Sequence, residues 1–243
     1  RDLVPVTQLY CSVDASTKDA LKAVDRPLFA DFWERFNDSL AALKTVKGRT
    51  VFRLTLIKDK NVGREEDLHG YASLAAASQP DFIEVKGVTF CGKSDASDLT
   101  MSNVPWIHEV KAFSEQLCAR INAVSPSGPS GASVKYGMAC IHAHSMCVLI
   151  AREDRYLRPD GWWTWIVYPR FFELDARFRE TGEVFTGADY SAKTPSWALY
   201  DAPEEGFNPQ QTRVSKARKH KNGMTSDEHK ARGKRAEAEF VQS

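Results

Sequence analysis

The stretch TVFRLTLI, Thr50–Ile57, puts Phe52, Leu54 and Leu56 on one side of an extended chain and Arg53 and Thr55 on the other, because successive side chains of a strand point to opposite faces. Two more stretches repeat the pattern. In Leu9–Val13, Leu9, Cys11 and Val13 oppose Tyr10 and Ser12, with Asp14 next on the polar side. In Phe82–Val88, Ile83 and Val85 oppose Glu84 and Lys86. Between these strands the period changes to that of a helix. From Pro27, the residues Phe29, Trp33, Phe36, Leu40 and Leu43 recur at three- and four-residue spacing until Gly48. A second helix spans Glu65–Ala77 and stops before Pro80, and a third follows Pro105 with Ile107, Val110, Phe113, Leu117 and Ile121 on one side. Strands alternating with helices predict right-handed crossovers and a parallel sheet. A parallel sheet covered on both faces reads as apolar runs, whereas these strands carry charge on one face. Either the sheet is open to water there, or it curls into a barrel around a polar chamber. The barrel fits crossover helices better, since they cover only its outside.

Further along, Ser125–Ser133 reads as a Ser/Gly/Pro loop. Short strands follow near Tyr136–Ile141 and Cys147–Ala151, then a Trp-rich segment Trp162–Tyr168 and a helix near Phe171–Arg179. Beyond Gly187 the chain is irregular and aromatic, and Arg213–Arg235 is rich in Lys and Arg without an apolar period. The 243 residues carry a formal net charge of +1, with 42% hydrophobic and 27% charged residues, so the chain as a whole is no polybasic nucleic-acid binder. No apolar run is long enough to span a bilayer. The 5 cysteines, Cys11, Cys91, Cys118, Cys140 and Cys147, contain no Cys-x-x-Cys pair and form no disulfide framework, which suits a reducing cytoplasm.

The runs TQLYCSVDAST (7–17), DRPLFADFWERFNDSL (25–40), RTVFRLTLIKDKN (49–61), DFIEVKGVTFCG (81–92), WWTWI (162–166) and SAKTPSWALYDAPEEGFNP (191–209) resemble the C-terminal half of the tRNA 4-demethylwyosine synthases of wybutosine biosynthesis. The resemblance is dense from Pro5 to Pro209. It implies an α/β fold, the C-terminal part of a partial (β/α) radical-SAM barrel over residues 1–185. A wyosine-family extension over 186–212 and a basic tail over 213–243 would follow. It also implies a lyase that uses S-adenosyl-L-methionine, a 4Fe–4S cluster and an electron donor such as a flavodoxin-like domain. Its substrates would be pyruvate and the N1-methylguanosine beside the anticodon of tRNA-Phe. The family's Cys-x-x-x-Cys-x-x-Cys loop is absent from this sequence, so cluster ligands are expected upstream and this chain alone is expected to be inactive.

Barrel active sites lie at the C-terminal ends of the strands. By resemblance, Ser12 and Asp14 fall near the nucleoside of S-adenosylmethionine. Asp14 or Ser16 could equally cap the next helix. Arg53, read as a buried guanidinium, calls for an anion: the carboxylate of methionine or pyruvate, or an internal partner in Glu84 or Asp14. Thr55 shares its face, and Lys58 and Asn61 follow at the same end as cofactor or substrate contacts or as plain loop residues. Lys86 could form a Schiff base with pyruvate, or pair with Glu84. His142, His144 and Cys147 have a spacing that suggests zinc, but no fourth ligand is evident. A histidine pair sharing a strand face and lining the substrate end is the other reading. Lys193 and Trp197 could hold an anticodon base, with Ser191–Pro209 at the mouth of the site, or could pin the extension to the barrel. Two further functions stay open: a tRNA-binding fragment without chemistry, and a zinc-stabilised interaction domain.

Overall fold

The computed structural model describes residues 4–63, 65–92, 98–125 and 134–202. Five strands form one sheet in the order β1-β2-β3-β5-β4: β1 Gln8–Ser12, β2 Arg49–Leu56, β3 Phe82–Gly87, β4 Tyr136–His142 and β5 Cys147–Arg152. The first three are parallel, as expected. The last two are not: β5 runs antiparallel to both β3 and β4. The reason is the connection. Only Ala143–Met146 joins β4 to β5, with Met146 in the left-handed region (φ 52°), and a parallel pair needs a crossover of a dozen residues or more. The described strands therefore make an open, mixed sheet and not a closed ring.

The helices are α1 Lys18–Asp25, α2 Phe32–Ala42, α3 Glu65–Ser78 and α4 Ile107–Val124. The helix expected to start at Pro27 starts later, at Phe32, and a separate helix, α1, precedes it. Thr17 caps α1, accepting from the Ala20 N–H at 3.3 Å, and Arg26 in the left-handed region (φ 49°) ends it. Pro27–Asp31 then turns before α2. Phe29 consequently leaves the apolar stripe and is 60% exposed.

One face of the sheet packs on the helices. Phe52, Leu54, Leu56, Ile83, Val85, Val148 and Ile150 meet Leu68, Tyr71, Ala72, Val110, Phe113 and Leu117 in one buried cluster. Each such side chain removed from water stabilises the fold by about 1.5–3 kcal/mol. A single turn α5 (Glu153–Tyr156), the hairpin β6 (Leu157–Arg158) and β7 (Gly161–Trp162), and β8 (Trp165–Ile166) follow β5. Helix α6, Tyr168–Thr181, starts earlier than expected because Pro169 in its first turn suits a helix start. The chain then returns to pair β9, Ser191–Ala192, with β8. Phe171, Leu174, Phe185 and Tyr190 close a small core there. Among the described residues no helix is long and apolar enough to cross a membrane.

Candidate functional site

The sheet face turned away from α1–α4 is layered, and the strand register builds the layers. The lowest row is Tyr10–Val51–Phe82–Ala151–Gly137, the next Ser12–Arg53–Glu84–Leu149–Cys140, and the uppermost Thr55–Lys86–Cys147–His142. The upper rows lie toward the C-terminal ends of the parallel strands. Asp14 joins the top row, because its carboxylate takes the hydroxyl and the N–H of Thr55. Neighbouring strands are about 4.8 Å apart, so the sequence-predicted residues Ser12, Asp14, Arg53, Thr55, Glu84, Lys86 and His142 share one surface.

From Val51 to Ala151 the floor is apolar and sealed, while Tyr10 at its β1 end is half-exposed. The Tyr156 ring lies 4.3 Å from that of Phe82, and the Arg49 guanidinium sits over both rings at 4.3 and 5.5 Å. Arg49 is 3% exposed, and it donates to Gln8 Oε1, Ser191 Oγ and the Thr164 carbonyl. Neutral acceptors and aromatic faces thus hold this cation, and burial lowers its pKa. A Cβ on Gly187 would come within 2.6 Å of both the Tyr156 hydroxyl and Arg49 Cγ, so only glycine fits. Asp81, 1% exposed, accepts from the Thr50 N–H and Arg155 beneath the same floor.

Above the floor the groups are polar and reach solvent. Arg53 is not buried: its side chain is 44% exposed, with Nε 3.6 Å from Glu84 Oε1. Thr164 covers this row at its β4 end, 3.3 Å from Cys140 Sγ, while Arg53 at the β2 position stays open to solvent. Tyr10 donates to Glu84 Oε2 at 3.2 Å, and its pKa is raised by burial and by that carboxylate. Lys86 has no hydrogen-bond or ion-pair partner among the described residues. Burial pushes the Cys147 thiol up to about 12, with Glu84 adding to the rise. Burial also raises Asp14, opposed by the Thr55 bonds and Arg53.

Other predicted residues have different settings. Asn61 is 2% exposed; Oδ1 accepts from the Ile57 N–H, and Nδ2 donates to the Asp14 and Thr55 carbonyls. It clamps the ends of β1 and β2. A cavity of about 550 Å³ behind α1, lined by Ala20, Arg26, Ile57, Lys60 and Asp98, shares only Asn61 with the predicted set. Lys58 pairs with Glu109 at 2.7 Å. His142 and His144 do not share a strand face: His142 ends β4, its Nδ1 2.6 Å from Ser145 Oγ, while His144 lies in the following turn. Lys193 pairs with Asp160 at 3.3 Å, and Trp197 is 51% exposed. Ser191 and Thr194 sit beside Arg49 and Thr164, at the starts of the parallel strands. This end is opposite the expected mouth, because β9 is tied to β8 below the floor. Leu199 and Tyr200 run on to bridge edge strand β4 at Cys140 and Ala139, and the Tyr200 hydroxyl reaches Glu115 on α4. The basic tail 213–243 and Pro203–Pro209 lie outside the described residues.

The cysteines do not suit a cluster. Cys118 is buried against the Tyr136 carbonyl, Cys11 packs toward the helices, Cys91 is exposed in a loop, and Cys140 and Cys147 face the chamber. Among the described residues no three or more His, Cys, Asp or Glu side chains converge as metal ligands. The sequence reading gave no role to Gln8, Tyr10 or Arg49. The two-residue period already put Tyr10 beside Ser12, and that was the available signal.

A family model described as wyosine base formation matches residues 77–152. The S-adenosyl-L-methionine-dependent tRNA 4-demethylwyosine synthase of Arabidopsis thaliana is 53% identical over 216 residues, 89% of this chain and 31% of that protein. Its counterparts are 53% identical in Danio rerio over 91% of this chain and 28% of theirs, and 50% identical in Homo sapiens over the same shares. A solved structure of TYW1 with a lysine–pyruvate adduct bound aligns at 25% identity and a TM-score of 0.47, covering 61% of this chain and 42% of that one. With half of its residues identical across nine-tenths of its length, the chain belongs to the tRNA 4-demethylwyosine synthase family, and it spans about a third of the length of the relatives it matches.

Proposed function

We propose that this chain forms one wall of the substrate chamber of a radical-SAM carbon–carbon lyase. The enzyme would condense pyruvate-derived carbons with N1-methylguanosine of tRNA-Phe in wybutosine biosynthesis. The observation that carries the reading is the two-row polar surface at the C-terminal end of a parallel β1-β2-β3 unit, in a chain half identical to named synthases. A curled continuation of this sheet, a partial (β/α) barrel over residues 1–185, would enclose that surface. Residues 186–212 would form the extension.

The chamber residues divide the work by chemistry. Arg53 offers a fork to a carboxylate. Ser12, Asp14 and Thr55 offer hydroxyl and carboxylate groups to ribose hydroxyls of S-adenosylmethionine, with Asn61 holding their strands in place. Lys86, which has no ion partner among the described residues, can add through its amine to the keto carbon of pyruvate; water leaves and an imine remains. Glu84, Lys58, His142 and His144 line the substrate side, and Lys193 and Trp197 are the proposed tRNA contacts. When bound, S-adenosylmethionine would supply the radical that starts the condensation, on receiving one electron from a donor outside this chain. The cysteines of this chain do not fit a 4Fe–4S cluster, so no step is assigned to one here. Its ligands, and a docked flavodoxin-like donor, belong to the rest of a cytoplasmic enzyme.

The test is anaerobic reconstitution of the complete protein with S-adenosylmethionine, pyruvate and tRNA carrying N1-methylguanosine, with mass analysis of the modified base. The tricyclic product is expected, and its absence from a folded, cluster-loaded protein would refute the reading. Iron counting on the 243-residue chain alone should find no stoichiometric cluster. Borohydride reduction with pyruvate should tag Lys86. A tag on another lysine would leave Lys86 as a charge of the chamber wall.

A further inference from the structure

An unbroken run of side-chain contacts joins the C-terminal segment to the chamber charges. Arg49 donates to Ser191 Oγ at 2.7 Å and to the Thr164 carbonyl at 2.9 Å, and its Nε donates to Gln8 Oε1 at 3.0 Å. Gln8 Nε2 donates to the Tyr10 hydroxyl at 2.7 Å, and that hydroxyl donates to Glu84 Oε2 at 3.2 Å. Glu84 Oε1 then lies 3.6 Å from Arg53 Nε. The direction of every bond follows from the first. A guanidinium can only donate, so Gln8 must turn its oxygen to Arg49 and its amide nitrogen to Tyr10. The Tyr10 hydroxyl, already accepting, spends its proton on Glu84. Glu84 is thereby held against the ε edge of Arg53, and the two η nitrogens of Arg53 carry no hydrogen bond among the described residues.

We infer that Gln8 and Tyr10 are positioning residues: they restrain Glu84 so that the η nitrogens of Arg53 stay open to an incoming carboxylate. That carboxylate carries a polar group on its α-carbon, the chemistry shared by a 2-oxo acid and by the methionine end of S-adenosylmethionine. The inference rests on the proposed reading of Arg53 as an anion site. Without the Tyr10 hydroxyl, Glu84 loses its restraint and turns to meet Arg53 fork to fork, the strongest geometry open to the pair. The ligand's own carboxylate then competes with one already in place.

The experiment measures equilibrium binding of pyruvate and of S-adenosylmethionine, separately, to the complete protein and its variants. Tyr10→Phe keeps the ring at a position 47% exposed and should raise Kd for one of the two ligands about five- to tenfold, the size of one ordinary net hydrogen bond. Gln8→Leu should act in the same direction. Glu84→Gln placed in the Tyr10→Phe background should restore binding, because the competing charge is gone. A residue that merely supported the fold would show no such reversal. An effect confined to pyruvate assigns the site to the 2-oxo acid, and one confined to S-adenosylmethionine assigns it to the cofactor. Unchanged Kd for both ligands in Tyr10→Phe, with Arg53→Ala still weakening one of them, overturns the positioning role alone. Unchanged binding in Arg53→Ala itself overturns the anion site and the inference with it.

Discussion

The two faces of β1–β3 are built from alternate residues of the same strands, yet they obey different rules. On the helix side most contacts are apolar and nearly all of the surface is dry: Phe52, Ile83 and Val85 are at most 1% exposed. On the chamber side a row that is dry at Val51 and Phe82 and half-exposed at Tyr10 supports two rows of charge and hydroxyl that reach solvent. The difference teaches that stability and ligand chemistry are separable here by parity of residue number. Substitutions on the helix side should act on folding, and those on the upper chamber rows on binding.

The sharpest contrast comes from adjacent residues. Phe52→Ala should destabilise the chain by about 3–5 kcal/mol through lost burial and a cavity, read from a shift in denaturant midpoint. Arg53→Ala should change stability by no more than about 0.5 kcal/mol, yet weaken pyruvate or S-adenosylmethionine binding by about 1.5–3 kcal/mol. If both variants unfold alike, the parity rule fails. Trp197→Ala tests a third region, outside both faces. It should lower tRNA affinity by about 1–3 kcal/mol if the ring stacks on a base, with cofactor Kd unchanged. A joint fall in melting temperature and cofactor binding, with tRNA affinity spared, would make the segment structural.

The smallest effect concerns pH. Burial raises Asp14 above its ordinary 3.8, so the folded chain keeps a proton that the unfolded chain has already released. The group's stabilisation is fully present below 3.8 and is lost as pH rises through the raised value. Asp14→Asn should flatten this part of the stability profile. An unchanged slope in acid titrations monitored by circular dichroism would place the coupling elsewhere.

The face pattern of the first three strands was legible because period-two alternation is local. The antiparallel β4–β5 pair was legible only as two short strands. Its direction depends on the four residues Ala143–Met146, whose brevity outweighs the parallel trend set by the preceding units. The start of α2 was misplaced because Phe29 fits the apolar period, while the Pro27–Asp31 turn that delays the helix leaves no mark in hydrophobicity. Arg53 was rightly placed on the polar side but wrongly taken as buried, since covering a sheet face depends on chain far away in sequence. The run from Ser191 through Arg49 to Glu84 joins contact partners up to 142 positions apart, and no spacing rule reaches that far.

The bridge of Leu199 to Cys140 and the Tyr200 N–H bond to the Ala139 carbonyl occupy the outer side of β4, whereas β1, the other end of the sheet, has no strand beyond it among the described residues. A strand edge with unpaired N–H and C=O groups is a template for any other extended chain. At Ala139 and Cys140 the protein's own segment takes that place, so a variant cut before Leu199 should expose backbone groups there that the intact chain keeps occupied.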